Sequence, residues 1–437
     1  NLIKNNFMIL LALNELNLQY IEGYIKKGHL PNFKKLLEKG YTRTTSESEY
    51  SLLEPWIQWT TVQTGLSYSD HGIFRLGDII DRKDLHQIFE ELESNGLAVG
   101  AISPFNADNR LKKAKFFIPD PWTQTKASGS FLISKLSITI SKIVNSNASG
   151  KVVFMDLIWL LLGFVRFVRL KRWWSFIKLI SIRKKPGVKA AILDMILLEV
   201  FVTLQKKYKP DYSHLFFNGG AHVQHHYLFN SSIYAGVFKN PEWYCPKDWD
   251  PLFMMLNCYD KIIGDLLLTG ERIIGVTGLH QTPHEEQTFY WRPIDHEVFL
   301  IELGVDVIFN VIPRMSRDFL IETKSLQNAN EVELVLSSYK DSENSMNVFS
   351  VDNRGKSLFV EIIYANDIND DLMFIGNNKK IVDLKNKLAF VAIKNGKHNG
   401  EGYVFSNKEL NLPEKIELKE LYDIIKKFTI NDYNNSN

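Results

Sequence analysis

A histidine-rich segment in the middle of the chain is the strongest candidate for chemistry. The sequence LFFNGGAHVQHHYLFNSS places His222, His225 and His226 directly after an apolar run that stops at a pair of glycines. Imidazole is the commonest metal ligand in proteins, and histidines three and four residues apart share one face of a helix. A helix that begins where a strand ends lies at the carboxyl edge of a sheet, where open α/β sheets bind their ligands. The segment therefore predicts a metal or ligand site, and the alternative is an ordinary exposed turn.

Apolar runs alternate with helical patterns around this segment. The run FMILLAL, residues 7–13, is wholly apolar and ends at Asn14-Glu15. Such a run is typical of a parallel strand that is buried on both faces. The run LAVGAIS, residues 97–103, is interpreted as a second strand that follows an amphipathic helix. This alternation predicts an α/β sandwich built on a mostly parallel central sheet.

Changes of pattern along the chain predict that this α/β core carries two insertions. The first insertion is basic and helical, and we interpret it as a cap on the core. The second has short alternating strands and turns, which indicate a small antiparallel β subdomain. The predicted segments are 1–124 and 210–306 for the core, 125–209 for the helical insertion, 307–381 for the β subdomain, and 382–437 for a return to the core with His398 and a C-terminal helix.

The composition is that of a globular protein. With 437 residues, of which 45% are hydrophobic, the chain can bury a large core and needs neither disulfides nor a structural metal to fold. The net charge of +2 argues against a nucleic-acid partner. The two cysteines, Cys245 and Cys258, have neither zinc nor redox spacing. No signal peptide precedes the first predicted strand, so a cytoplasmic location is expected.

The helical insertion contains a stretch that is both basic and apolar. Residues 154–185 carry eight Lys or Arg residues and no acidic residue after Asp156. The longest uncharged apolar run, residues 157–165, is too short to span a bilayer. In one interpretation these helices cap the main domain and their cations are solvated. In the other they lie on the inner face of a membrane, with Trp173 and Trp174 at headgroup depth and the cations against anionic lipid.

Four motifs with candidate ligands follow one another along the chain. The first is the first apolar strand, followed later by LPNFKKLLEKG, and the second is an aromatic-rich turn that reaches TG and then HGIF. The third is the apolar strand that is followed by AHVQHHY. The fourth is formed by two segments, GLHQ and GKHNGEGYVF. Their order and spacing resemble the alkaline phosphatase superfamily, and within it the type I phosphodiesterase/nucleotide pyrophosphatase branch. The resemblance implies two divalent metals, usually zinc, that act on a phosphate ester beside a Ser or Thr nucleophile. By position it assigns His225 and His398 to the first metal and His280 to the second.

Several positions depart from the residues of that family. The replaced positions are Asn14 for the first-strand Asp, Glu54 or Pro55 for the nucleophile, and Ala221 and Leu279 for two further Asp residues. Two zinc ions without these carboxylates would place excess positive charge in a poorly solvated pocket. One resolution is a remodelled site with one ion, held by the three histidines and by Glu15, Glu54 or Glu285. The other is a site without metal, in which Glu54 and the histidines act as acid and base.

These patterns predict a metal-dependent hydrolase or group transferase that acts on a phosphate ester or diester. The basic insertion favours a bacterial envelope glycan or a lipid-linked substrate, as in polysaccharide biosynthesis, over a soluble phosphorylated molecule. Two further hypotheses are a remodelled family member that catalyses another transfer or a lyase reaction, and a non-catalytic ligand-binding protein. The predicted residues are Glu54, Glu15, Asn14 and His222 for catalysis, His225, His280, His398 and Glu54 for a zinc ion, and Arg292, Arg75, Asn106 and His296 for the substrate.

Overall fold

The computed structural model describes residues 7–145, 154–314 and 317–434. The chain forms two compact units. Unit 1 comprises Asn1–Pro283 and Gly396–Asn437, and unit 2 comprises His284–Asn395.

Strands and helices alternate along much of the chain. The strands are β1 (Met8–Leu13), β2 (Tyr41–Thr45), β3 (Val99–Ile102), β4 (Phe116–Ile118), β5 (Tyr212–Phe217), β6 (Arg272–Val276), β7 (His280–Pro293), β8 (Phe309–Pro313), β9 (Asp318–Thr323), β10 (Lys340–Asp341), β11 (Phe349–Asn353), β12 (Ser357–Ile362), β13 (Phe374–Gly376), β14 (Lys379–Ile381), β15 (Leu388–Asn399), β16 (Glu401–Ser406) and β17 (Lys415–Glu417). The helices are α1 (Leu18–Lys26), α2 (Pro31–Leu36), α3 (Pro55–Thr64), α4 (Tyr68–His71), α5 (Ile88–Ser94), α6 (Phe131–Asn145), α7 (Phe154–Phe167), α8 (Leu170–Ser181), α9 (Val188–Tyr208), α10 (Gly219–Tyr227), α11 (Pro251–Leu267), α12 (His296–Leu303), α13 (Leu326–Ser337) and α14 (Leu421–Asn434).

An eight-stranded sheet lies at the centre of unit 1, with the strand order β17-β2-β16-β6-β1-β5-β3-β4. Every neighbouring pair is parallel except the two that β16 makes, since β16 is antiparallel to both β2 and β6. The predicted α/β class with a mostly parallel central sheet is therefore confirmed. The three middle strands β6, β1 and β5 all end at the same edge, which is the edge where such sheets bind ligands.

The strand β1 is buried on both faces, which explains its wholly apolar sequence. Its odd-numbered residues pack into a core that contains the buried sides of α1, α2 and α6 to α11. Its even-numbered residues pack into a second core with α3, α5 and α14. Successive side chains of a strand point to opposite faces, so a helical layer covers each side of the sheet.

The predicted helical insertion is part of unit 1 and not a separate unit. Its helices α6 to α9 bury Leu136, Phe176 and Phe201 in the same core as one face of the sheet. Residues 146–153 of this insertion lie outside the described residues. Among the helices that the structure describes, none is both long and apolar enough to cross a membrane.

Unit 2 contains the predicted small antiparallel sheets, and its boundaries differ from those predicted at 307 and 381. One sheet has the order β11-β12-β9-β8 and another the order β10-β13-β14, with antiparallel pairing throughout. The unit extends from His284 to Asn395 because Trp291, Phe299 and Leu388 are buried in its hydrophobic core.

One stretch of the predicted β subdomain, with its short alternating strands, is a helix. The sequence EVELVLSS lies mostly in α13, which begins after Ser325, whose side chain accepts the backbone N–H of Asn328. Ala329, Val332 and Leu336 are buried at spacings of three and four residues, which is helical periodicity. The strand prediction was wrong for this stretch because its apolar residues repeat with the period of a helix and not of a strand.

Candidate metal centre

The candidate site lies in unit 1 at the carboxyl edge of the central sheet. The strand β1 ends at Leu13, which pairs with Phe217 at the end of β5. Ala12 pairs with Val276, the last residue of β6. The segments that follow these three strands therefore start side by side, and one of them begins with Asn14 and Glu15.

Glu15 is held firmly at this edge. Its backbone is in the left-handed region, with a φ of 57°. Its N–H donates to the carbonyl of Thr277 at 3.0 Å, and its carbonyl accepts from the side chain of Gln224 at 2.8 Å. One carboxylate oxygen accepts from Asn14 at 3.0 Å and the other accepts from Gln281 at 2.6 Å. The orientation of this buried carboxylate is thus set by bonds from the ends of several strands.

The helix α10 starts directly after β5, and two glycines make this close approach feasible. A Cβ on Gly219 would lie 2.5 Å from a carboxylate oxygen of Asp194, and one on Gly220 would lie 2.6 Å from a neighbouring leucine side chain. Asp194 accepts the Gly219 N–H at 2.8 Å, and burial raises the pKa of Asp194 to about 7. The glycine pair therefore positions the first turn of α10, and through it the side chain of His225.

Three side chains converge in front of this edge: Glu15, His225 and His398. The Nε2 atoms of His225 and His398 lie 2.9 Å and 3.1 Å from the same carboxylate oxygen of Glu15. The two Nε2 atoms are 3.2 Å apart. Among the described residues, these three form the group whose ligand atoms lie close enough together to hold a metal ion. The structure thus brings together two predicted ligands, His225 and His398, with Glu15, which was predicted as a catalytic residue and as one of three alternative carboxylate ligands.

The spacing of the three ligand atoms suits a small divalent ion. In a tetrahedral zinc site with bonds of about 2.0–2.1 Å, the ligand atoms lie about 3.3 Å apart. The observed separations of 2.9, 3.1 and 3.2 Å are close to this value on all three sides. Two imidazoles and one carboxylate leave a fourth position open, which is the arrangement of catalytic zinc sites. The donor set present therefore fits one zinc ion.

Protons alone do not account for the three contacts. Burial acts to raise the pKa of Glu15, but the two imidazoles outweigh burial and hold this pKa far below its usual value, so the carboxylate is ionised. A carboxylate only accepts hydrogen bonds, and a ring nitrogen either donates or accepts. If both Nε2 atoms are protonated, both can donate to the Glu15 oxygen, but two N–H donors then lie 3.2 Å apart with no acceptor between them. If one Nε2 atom is not protonated, its lone pair faces the carboxylate oxygen. A cation between the three atoms satisfies every contact.

His280 is not part of this group, contrary to the prediction that it would be a metal ligand. Its Nδ1–H donates to the carbonyl of Glu401 at 2.6 Å, and its ring packs 5.3 Å from that of Tyr403. The reason is strand geometry: β6 ends at Val276 and His280 is already the first residue of β7. Because successive side chains of a strand alternate in direction, Gln281 and not His280 points at Glu15.

Two other predicted residues, Glu54 and Asn14, lie outside the group of candidate ligands, and the predicted catalytic role of Glu54 stays a prediction. Glu54 is half-buried and precedes α3, where its carbonyl accepts the backbone N–H of Ile57 at 2.9 Å. Glu54 is outside the group of candidate ligands, and so is Glu285, which belongs to unit 2. Asn14 is buried, and its amide group bonds to Glu15, Asn218 and Trp59, so it positions the carboxylate and is unsuited to direct catalysis.

His222 is exposed on the same helix as His225, three residues before it. Its ring lies 4.9 Å from that of His226, centroid to centroid. Desolvation of the ring and the nearby His225 lower the pKa of His222 to about 4, so the ring is uncharged at neutral pH. Its predicted catalytic role stays a prediction.

Two loop residues predicted to bind substrate, Asn106 and Arg75, make hydrogen bonds within their own part of the protein. Asn106 is fully buried, and its side chain bonds to the backbone of Gly77 and Trp56 and to Thr60. The backbone N–H of Arg75 donates to the carboxylate of Asp78 at 3.2 Å, which is turn chemistry. The polar atoms of the Asn106 side chain already bond within the protein, and its predicted substrate-binding role stays a prediction, as does that of Arg75.

His71, in the HGIF motif, is likewise satisfied inside the protein. Its Nδ1 accepts the N–H of Ile73 at 3.0 Å, and its Nε2 lies 3.2 Å from the hydroxyl of Thr61. Burial, assisted by Arg82, lowers the pKa of His71 to about 4. A neutral, fully bonded histidine stabilises this loop.

Arg292 and His296 belong to unit 2. The ring of His296 lies 5.1 Å from that of Phe319, and burial together with Arg292 lowers the pKa of His296 to about 4. Burial also lowers the pKa of Arg292, although Asp318 opposes this effect. Their predicted contact with the substrate stays a prediction.

Two glutamines of the site were not predicted. Gln224 bonds to the backbone of Glu15 and accepts the N–H of Asn17 at 3.1 Å, and Gln281 bonds to the carboxylate of Glu15. Both lie inside the motifs AHVQHHY and GLHQ, directly beside histidines that were singled out. Their position in these motifs is the signal that the sequence offers, since Gln224 directly precedes His225 and Gln281 directly follows His280.

No protein-family model matches this sequence, and neither does any curated protein. The structure is similar to phosphonoacetate hydrolase from Sinorhizobium meliloti 1021, with 13% identity and a TM-score of 0.45 over 98% of this chain and 96% of that chain. It is also similar to human ectonucleotide pyrophosphatase/phosphodiesterase 5, with 12% identity and a TM-score of 0.46 over 97% and 95%. The murine protein of the same name gives 11% identity and a TM-score of 0.45 over 97% and 95%. With identities of 11–13% and TM-scores of 0.45 and 0.46, the chemistry of this chain rests on its own site residues.

Proposed function

We propose that this protein is a metal-dependent hydrolase or group transferase that acts on a phosphate ester or diester. The convergence of Glu15, His225 and His398, with ligand separations of 2.9–3.2 Å, carries the proposal. The three residues would hold one divalent ion, with zinc the best fit to two imidazoles and a carboxylate. When bound, such an ion polarises a phosphoryl oxygen and activates a water molecule.

The charge of the site favours one ion over two. Glu15 is the one carboxylate in the group of candidate ligands, so a single divalent ion already leaves the group with a net positive charge. A second ion would need further buried carboxylates. At the positions where the family resemblance places those carboxylates, this chain has Asn14, Ala221 and Leu279. A net positive site attracts an anionic phosphate, which makes this charge useful for binding.

The residues around the group suit direct attack by water. Glu54-Pro55 stands where the related family has a hydroxyl nucleophile, so we propose no covalent phospho-enzyme. His222, three residues before His225, is placed to orient the leaving oxygen as a neutral imidazole, because desolvation and the nearby His225 lower its pKa to about 4. Gln281 and Asn14 keep the carboxylate of Glu15 turned towards the two imidazoles.

The substrate is proposed to be a phosphorylated small molecule or glycan, of the kind used in bacterial polysaccharide biosynthesis. The basic insertion favours an envelope or lipid-linked substrate, and a protein bound peripherally to the inner face of the membrane. A second candidate function is a non-catalytic receptor that holds metal and a phosphorylated ligand. The replacement of the hydroxyl nucleophile by Glu54-Pro55 is the observation that favours it.

Elemental analysis of the purified protein and a substrate screen test both functions. We expect close to one zinc ion per chain and hydrolysis of a phosphodiester, a phosphomonoester or a nucleotide-sugar in a panel of these three classes. His222→Ala should lower kcat and leave the zinc content unchanged. One zinc ion with no turnover of any class would favour the receptor, and protein that takes up no zinc would overturn the proposed metal centre.

A further inference from the structure

The helices α7 and α8 expose apolar side chains on their outer faces. In α7 the exposed residues are almost all apolar, with exposed fractions between 46% and 75%. These residues are Phe154, Met155, Leu157, Leu161, Leu162 and Val165. Large contiguous apolar surface on a soluble protein usually marks an interaction site.

The apolar residues of α7 form a stripe on one side of the helix. Phe154, Leu157, Leu161 and Val165 follow one another at intervals of three and four residues, so they share a face. The buried residues of the same helix include Phe167, which packs into the core of unit 1. A helix at the surface of a globular protein normally carries polar residues on its outer side. The outer face of α7 has the opposite character.

A second apolar stripe lies on α8, next to cations. Leu170, Trp174 and Ile177 are 80%, 68% and 51% exposed and repeat at intervals of four and three residues. Lys171 directly follows Leu170, Lys178 directly follows Ile177, and both lysines are exposed. A helix with Trp and aliphatic residues on one side and Lys on the other is typical of helices that lie at a membrane surface.

The surrounding charge is almost entirely positive. Residues 131–193 contain twelve Lys or Arg residues and one acidic residue, Asp156, which is buried and lies 3.6 Å from Lys142. Three of the cations form ion pairs with neighbouring helices: Arg169 and Arg172 at 2.5–2.6 Å, and the more exposed Lys171 at 3.5 Å from Asp265. Their partners are Glu199 of α9 and Asp265 of α11. The exposed cations that remain include Lys178, Arg183 and Lys184.

We propose that the apolar stripes of α7 and α8 form a membrane-docking surface for bilayers that contain anionic lipid. The stripes would lie at the boundary between headgroups and acyl chains, with Trp174 at headgroup depth and the exposed cations against lipid phosphates. Charge decides against a second copy of the chain as the occupant, because two copies of this face would bring like charges together. The proposal does not depend on the metal centre, which lies elsewhere in unit 1.

Vesicle flotation with the purified full chain tests the proposal. One set of vesicles contains phosphatidylcholine alone, and the other contains about 25% phosphatidylserine, enough for a negative surface potential. We expect the protein to float with the anionic vesicles at low salt, to bind them less at high salt, and to bind neutral vesicles weakly. A triple variant with Lys178→Gln, Arg183→Gln and Lys184→Gln should bind about 100-fold more weakly, since each cation near the surface contributes a factor of roughly five.

A second variant tests the apolar stripes themselves. Leu161→Asp with Trp174→Asp should abolish flotation, and both positions are exposed, so the fold should tolerate the change. A matched charge control is Lys34→Gln, Lys35→Gln and Lys206→Gln, three exposed lysines outside the two stripes, which should bind like the wild type. All variants should keep the wild-type melting temperature and zinc content, which separates this proposal from that of the metal centre.

Three results would overturn the membrane proposal. The first is no flotation of the wild type with anionic vesicles. The second is equal binding of the wild type to neutral and anionic vesicles, with the same binding in the triple variant of Lys178, Arg183 and Lys184. The third is a dimer in sedimentation velocity that Leu161→Asp with Trp174→Asp dissociates, together with no vesicle binding, since that outcome would assign the surface to a second copy.

Discussion

Replacing Glu15 with Gln should disable the metal centre while the sheet and helices remain folded. Glu15 supplies one oxygen that lies within 3.1 Å of both imidazole nitrogens, so it takes part in two of the three contacts of the group. The substitution keeps the size of the side chain and removes its charge. Glu54→Gln is the matched control, because Glu54 is also followed by a helix but lies outside the group.

The cost to the metal-free protein follows from the hydrogen bonds of the carboxylate. One oxygen accepts from Asn14 at 3.0 Å and the other accepts from Gln281 at 2.6 Å. An amide has one accepting oxygen and one donating nitrogen, so Gln at this position leaves one of the two donors facing another donor. A buried polar group left unsatisfied costs about 1–3 kcal/mol, which is the expected loss of unfolding free energy without zinc.

The effect on zinc should be larger. Changing a residue that only supports a ligand weakens metal binding about 10–100-fold, so losing the charged ligand itself should weaken it at least about 100-fold. A 100-fold change in affinity corresponds to about 2.7 kcal/mol of zinc-dependent stabilisation. Zinc affinity is measured by competition with a chelator, and unfolding free energy by urea titration with and without zinc.

Two outcomes would refute this reasoning. If Glu15→Gln binds zinc with the wild-type affinity, then the carboxylate is not a ligand. If Glu54→Gln loses as much affinity as Glu15→Gln, then the ion is held by a different set of residues. Wild-type zinc affinity in Glu54→Gln, together with the loss in Glu15→Gln, is the expected result.

Three further substitutions test the support of the site and of the core. Gln281→Leu removes the 2.6 Å hydrogen bond to Glu15 and should weaken zinc binding about 10–100-fold in the same competition assay; unchanged affinity would show that the bond is dispensable. Burial lowers the pKa of His214 from 6.5 to about 3. Between these values the unfolded state binds a proton that the folded state does not, so the unfolding free energy of the wild type should fall by about 2 kcal/mol between pH 6.5 and pH 5. His214→Phe should remove this part of the pH dependence in urea titrations, and equal slopes for the two proteins would contradict it. Gly219→Ala places a methyl group 2.5 Å from Asp194 and should cost about 1–3 kcal/mol of unfolding free energy, whereas an unchanged melting temperature would mean that α10 shifts freely.

Local patterns were sufficient to predict the sheet and part of the site. The apolar run of β1 and the glycine-terminated run before α10 each predict a buried parallel strand, and both strands are central neighbours in the structure. Once two parallel strands are neighbours, the residues that follow them meet at one edge. This is why His225 could be placed near the end of β1 from its position after an apolar strand.

The surroundings of His280 and Glu54, and the extent of unit 2, depend on information that local patterns do not contain. Whether His280 or Gln281 faces Glu15 depends on where β6 ends and β7 begins, and a shift by one residue reverses the side of each side chain. Glu54 was predicted as a metal ligand and catalytic residue because it stands at the nucleophile position of the family. That position does not fix the direction of its side chain. The extent of unit 2 depends on long-range burial of residues such as Trp291 and Leu388, whose spacing does not reveal which core they join.

The backbone of Glu15 explains how a carboxylate one residue beyond the expected position can still serve the site. The family resemblance places a carboxylate at position 14, where this chain has Asn14. In an extended strand the next residue would point to the opposite face, so a displaced ligand requires a change in backbone direction. The left-handed conformation of Glu15, with φ of 57°, provides this change, although it costs a non-glycine residue about 1–3 kcal/mol.

Bonds from neighbouring segments offset the cost of this conformation. The carbonyl of Thr277 and the side chain of Gln224 hold the peptide groups of Glu15, and Gln281 holds its carboxylate. A residue needed only for packing would not require this conformation, since glycine adopts it freely and an apolar side chain avoids a buried charge. A strained backbone, a buried ionised carboxylate and two imidazoles within 3.1 Å of it are together what the proposed metal centre requires, namely a carboxylate ligand at this edge of the sheet.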